Sequence, residues 1–139
     1  MTKKSSAIAD LIEGFRGWDL EAHYLAYFEC FNRQLFFEAH EVLEAHWLTQ
    51  RKGANDSFYK GLIQLAGAFV HLQKDRLRPA AALFKLAAAN LEAYPAIHEK
   101  LDVEQVLEMI NSWIQRLERN EFSKNPLVTE SPPKLKLLP

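Results

Sequence analysis

The chain has 139 residues, of which 48% are hydrophobic, and a formal net charge of -1 at pH 7. That length suits one domain with a core of its own, and the near-neutral charge leaves no basic field to hold a nucleic-acid backbone. The single cysteine, Cys30, excludes an intramolecular disulfide framework and reads as a small buried hydrophobe in a reducing compartment.

Strand signals are nearly absent, and helical ones recur from the N-terminus onward. The first predicted helix covers Ser6 to Glu13, with Ile8, Leu11, Ile12 and Phe15 on one side and Gly14 near its end. Asp10 and Glu13 interrupt its apolar part, which argues against export. No apolar run approaches the roughly 18 residues that cross a bilayer, so a cytoplasmic protein with no membrane partner is expected. The second helix follows Asp19 as N-cap, and its Leu20, Tyr24, Tyr27, Phe28 and Phe31 share a face. Asn32-Arg33-Gln34 marks a turn. The third helix opens with FFEAHEVLEAHW, from Phe36 to Trp47, and ends near Gln50, before the polar segment RKGANDS.

The fourth helix, Ser57 to Lys74, is apolar nearly all round, as a central buried helix should be. Its Gly61, Gly67 and Ala68 let neighbouring helices come close. The fifth starts near Pro79 and stops at Tyr94-Pro95. The sixth opens at Asp102, with Gln105 at capping-box spacing, and carries Val103, Val106, Leu107, Ile110, Trp113, Ile114 and Leu117 on its apolar face. Pro126, Pro132 and Pro133 make residues 126–139 an extended tail. Leu135, Leu137 and Leu138 favour docking of that tail, on this chain or on a second subunit. The two central helix pairs echo each other faintly, but two copies are too few for a solenoid. The expected class is all-α: a compact orthogonal array or bundle of five to six helices around a central buried one, with residues 1–125 as a single domain.

The third helix concentrates the unusual chemistry. On a wheel of 100° per residue, Phe36, Leu43 and Trp47 define a core direction. His40 then falls inside the apolar arc with Glu44 one turn on, Glu38 and Glu41 face solvent, and His46 sits at a flank. Histidine and glutamate at i and i+4 can meet, but a carboxylate among aromatics needs further partners. The fourth helix offers Lys60, Gln64, Gly67 and His71 as its one polar stripe. Gln64 and His71 are therefore expected to approach His40 and Glu44, with Gly67 permitting the contact and Tyr59 adding a hydroxyl at one end. The candidate cluster is His40, Glu41, Glu44, Trp47, Tyr59, Gln64 and His71.

Three kinds of function fit such a cluster. His40, Glu44 and His71 form a two-histidine, one-carboxylate set suited to a divalent metal such as iron, manganese or zinc, although HEVLE lacks the second histidine of HExxH. A buried glutamate beside a histidine also suits proton transfer, yet no nucleophile elbow, phosphate loop or dinucleotide fingerprint accompanies it. A satisfied His–Glu–Gln–His network can equally fix helix register.

FNRQLFFEAHEVLEAHW followed by FYKGLIQLAGAFVHLQ resembles the domain-of-unknown-function family 309. The matching positions are Phe31, Phe36, Phe37, Glu38, His40, Glu41, Glu44 and Trp47, then Phe58, Tyr59, Gly61, Leu62, Ile63, Gln64, Ala66 and His71. The resemblance runs from about Tyr27 to Tyr94. It implies a compact all-helical domain and brings no activity with it. Leu35 stands where the family often has glycine, and His46 lies outside the phrase, which argues against an essential role for it. The leading expectation is a structural or interaction module, a homo-oligomer with a dimer favoured or a binder of another protein. The alternative is a metal-dependent or acid–base hydrolase-like enzyme using the same network. Arg51-Lys52 and Lys74, Arg76 and Arg78 read as solvated loop ends rather than a nucleic-acid surface.

Overall fold

The computed structural model describes residues 3–129 and 131–139, with side chains for 7–128 and 131–139. The chain folds as α1 (Lys3–Gly14), α2 (Ala22–Asn32), α3 (Phe36–Thr49), α4 (Asp56–Gln73) and α5 (Leu77–Leu91). A hairpin of β1 (Ile97–His98) and β2 (Leu101–Asp102) follows, then α6 (Val103–Arg119) and the short α7 (Pro126–Thr129). The class is all-α, as expected. No helix among the described residues is long and apolar enough to cross a membrane.

The central position of α4 follows from its composition. It packs against α3 on one side and α5 on the other, while α2 pairs with α3 and α6 with α5. Phe69 of α4 is fully buried and joins four elements. It stacks on Phe36 of α3 at 5.0 Å and meets Phe31 of α2, Phe84 of α5 and Trp113 of α6 edge-on at 5.6, 5.1 and 5.0 Å. Such edge-to-face pairs add about 0.5–1.5 kcal/mol each beyond the area they bury. Gly61 lets α5 approach: a Cβ there would lie 2.9 Å from Leu91 Cγ and 3.2 Å from the Ala87 carbonyl oxygen. The buried Tyr27 hydroxyl donates to the Leu62 carbonyl at 2.6 Å and ties α2 to α4.

Helix ends follow local chemistry. Asp102 caps α6, its carboxylate accepting from the Gln105 N–H at 2.9 Å. At α2 the cap is Glu21 rather than Asp19: its carboxylate accepts from the backbone N–H groups of His23 and Tyr24. Asp19 instead lies in the preceding loop, 3.9 Å from Lys100 Nζ and nearly fully exposed.

The hairpin has no Asn-Gly or Asp-Gly signal, and its turn residues Glu99 and Lys100 both take left-handed backbone angles, φ 50° and 59°. Tertiary bonds hold it. The Tyr24 hydroxyl donates to the Glu99 carbonyl at 2.9 Å, and the Leu138 N–H to that of Lys100 at 2.7 Å.

The C-terminal segment docks on its own chain. Asn32 at the end of α2 exchanges two 2.7 Å hydrogen bonds with the backbone of Leu135. Leu135 is buried, and Leu137 forms an antiparallel bridge with Leu101. Pro126 starts a helical turn rather than an extended tail, since a first-turn proline gives up no needed donor. The Asn125 side chain sets that turn by accepting from the Leu127 N–H at 3.0 Å.

Candidate functional site

The buried arc of α3 is centred differently from the sequence wheel. Val42, Ala39, Phe36 and Leu43 form its core, and Glu38 is 7% exposed at its edge. Glu38 was expected in solvent. It lines a cleft of about 540 Å³ with Cys30, Arg33 and the apolar side of α1. Of the three residues that set the wheel's core direction, Phe36 and Leu43 are fully buried but Trp47 is only partly buried, and the neighbouring Phe37 is 49% exposed. Trp47 serves the loop instead: its indole N–H donates to Asp56 Oδ1 at 2.6 Å, and Arg51 lies over its ring at 4.4 Å.

This rotation moves His40 to the rim of the core. Its ring stacks on Phe37 at 6.3 Å. Its Nδ1 lies 3.2 Å from Glu41 Oε1 and its Nε2 3.7 Å from Glu44 Oε2. Gly67 of α4 lies beside it: a Cβ there would stand at an ordinary contact distance of 4.0 Å from His40 Cδ2, and closer, at 3.2 Å, to Leu83 Cδ1. So His40, Glu44 and Gly67 are juxtaposed. Gln64 is engaged elsewhere, its Oε1 accepting from Asn90 Nδ2 at 2.7 Å. His71 Nδ1 is buried with no hydrogen-bond partner among the described residues. Burial, and then the charges of Arg76 and Lys74, lower the His71 pKa. The four residues therefore do not share one hydrogen-bonded network. Nor do His40, Glu44 and His71 bring three donor atoms together as a metal set.

The outer side of α3 carries a stripe that is exposed at Phe37, Glu41 and Leu48 and half-buried at Glu44. Phe37 and Leu48, 49% and 59% exposed, stand at its two ends with Glu41 and Glu44 between them. The spacing of four, three and four residues places all four side chains on one helical face.

A second polar cluster lies toward the opposite end of α3, where no sequence motif points to it. Among the described residues, the three His, Cys, Asp or Glu donors that converge within 4.8 Å are Glu21, His23 and His46. Glu21 Oε1 faces His23 Nδ1 at 2.8 Å and His46 Nδ1 at 3.7 Å. Burial would raise the Glu21 pKa, but the His23 hydrogen bond, the two imidazoles and the Tyr24 N–H outweigh it and hold it below the ordinary value. Burial lowers the His46 pKa, with His23 adding to the effect and Glu21 opposing it. The Tyr59 ring meets His46 edge-on at 5.2 Å, so Tyr59 belongs to this end rather than to His40. Beyond it, Asn55 Oδ1 lies 2.6 Å from His98 Nε2. The signal that finds this cluster is hairpin symmetry. Residues 23 and 46 are equidistant from the turn between α2 and α3, so an antiparallel pairing places them side by side.

Curated proteins and solved structures gave no match. Residues 24–83, spanning α2, α3, α4 and the first half of α5, match the family model described as Domain of unknown function (DUF309). The match falls on the central helices and agrees with the resemblance read from the sequence.

Proposed function

We propose that the chain is an interaction module whose contact face is the outer side of α3, and that its partner is a protein segment carrying basic and apolar residues on one face. The observation behind this reading is the Phe37, Glu41, Glu44, Leu48 stripe: two exposed apolar anchors bracketing two carboxylates. Exposed apolar residues are ordinary when scattered singly, but anchors at helical spacing fit recognition of an amphipathic helix. The carboxylates favour a lysine- or arginine-bearing partner and disfavour a second copy of the same face. His40 stiffens the stripe by stacking on Phe37 and engaging both carboxylates.

The test is titration with an amphipathic Leu/Lys helical peptide of about 15 residues, followed by amide shifts in NMR spectra. The reading expects shifts centred on α3, weakening with added salt, and at least about tenfold lower affinity for the Glu41→Lys/Glu44→Lys variant. Absence of binding, or equal binding by the charge-reversed variant, would overturn it.

A further inference from the structure

The geometry points to a divalent transition-metal site, of the kind that takes zinc or cobalt, at Glu21, His23 and His46. Two imidazoles and a carboxylate are a donor set that borderline metals accept. The three residues come from two elements, the N-terminal turn of α2 and the last turn of α3, so the pairing of these helices fixes their spacing. Donors around one tetrahedral ion at about 2.1 Å stand roughly 3.4 Å apart. The 2.8 and 3.7 Å separations from Glu21 Oε1 to the two Nδ1 atoms bracket that figure.

The carboxylate is already oriented. Its Oε2 accepts from the backbone N–H groups of His23 and Tyr24, at 2.6 and 3.2 Å, which leaves Oε1 turned toward both imidazoles. Outer hydrogen bonds of this kind hold a metal-binding carboxylate in place. His46 is 14% exposed and braced by the Tyr59 ring, whereas His23 is 26% exposed. The two imidazoles lie near parallel, 16° apart at 5.6 Å. Coordination therefore requires the freer His23 ring to turn about χ2, a soft torsion, until both Nδ1 lone pairs converge. The exposed side of the set leaves a fourth position for water or an anionic ligand, the arrangement of an open rather than a sealed site.

The test uses chelator-treated, untagged full-length protein titrated with Zn²⁺ alone against a chromophoric competitor, and with Co²⁺ for its visible d–d bands. The expected result is one equivalent of Zn²⁺ bound with Kd below about 10 µM. His46→Gln and His23→Gln should each lose at least about tenfold in affinity, and His40→Gln should stay within about twofold. Glu21 is left intact because it caps α2, and the helical CD of each variant is checked before titration. A Kd above about 10 µM, binding that survives both substitutions, or binding lost in His40→Gln and kept in His46→Gln would overturn the assignment. Should His46→Gln fail to fold, His23→Gln and the Co²⁺ spectrum of the unmodified protein decide it: Co²⁺ bands without imidazole character contradict the site.

Discussion

The Cys30 thiol sits between α2 and the cleft under α1, 3% exposed. Burial, and then the Glu38 carboxylate, push its pKa up to about 11, with Arg33 opposing and Glu29 adding. The thiolate is the reactive form, so iodoacetamide at about pH 8 should alkylate the native protein at least about 100-fold more slowly than the urea-unfolded chain. Equal rates would mean that Cys30 is accessible. His71 makes a prediction in pH. Its folded pKa is depressed below that of an ordinary imidazole, so the unfolded chain takes up the proton first. The associated stability is complete above about pH 6.5 and declines as pH falls through that value. Urea midpoints measured from about pH 7.5 down to 5 should fall less steeply for His71→Leu than for the unmodified chain. Parallel curves would show that folding leaves the His71 pKa unshifted. At this scale the sequence was partly legible. The Asp102 cap follows from local spacing, whereas the Glu21 cap does not, because glutamate is not a favoured N-cap.

Among the elements, α4 carries the most. Phe69→Ala removes the ring that touches α2, α3, α5 and α6 and should cost about 3–5 kcal/mol in denaturant unfolding. Gly61→Ala tests the close approach of α5. Alanine would gain up to about 1 kcal/mol in helix propensity, but the added methyl meets Leu91 and the Ala87 carbonyl, an overpacking cost of about 1–3 kcal/mol. Net destabilisation of about 1 kcal/mol is expected, and a stabilised variant would refute the contact. The spans of α3, α4 and α6 were legible because apolar period, glycine, proline and cap residues agree along each. The facing of α3 was not. An amphipathic wheel assigns apolar residues to the core, and Phe37 and Leu48 are apolar residues that face out. The same error hid Glu38, which lines a cleft with residues of the neighbouring α1 and α2.

In the whole molecule, the C-terminal segment closes the fold on itself. It lies over the end of α2 and the hairpin turn, held by Asn32 and by the backbone of Lys100. Asn32→Ala deletes both bonds to Leu135 and should cost about 1–3 kcal/mol, with faster proteolysis within residues 131–139. Unchanged proteolysis would show that Leu135 alone holds the segment. No sequence pattern specified this docking site, because Asn32 and Leu135 are distant in sequence and the remaining contacts, to Lys100 and Leu101, are made by the backbone. The Glu21, His23 and His46 cluster was hidden for a related reason: helix pairing, not spacing along one helix, assembles it. The outer face of α3 differs from both, since its four side chains are neighbours on one helix and need no tertiary contact to be recognised. The most direct test of its role is a photo-crosslinking residue placed in cells at Phe37, at Leu48 and, as an equally apolar exposed control, at Leu86 of α5. The account predicts one common heavier adduct from positions 37 and 48, its partner contributing a basic segment, and none from position 86. No adduct from α3, or the same adducts from all three positions, would contradict it.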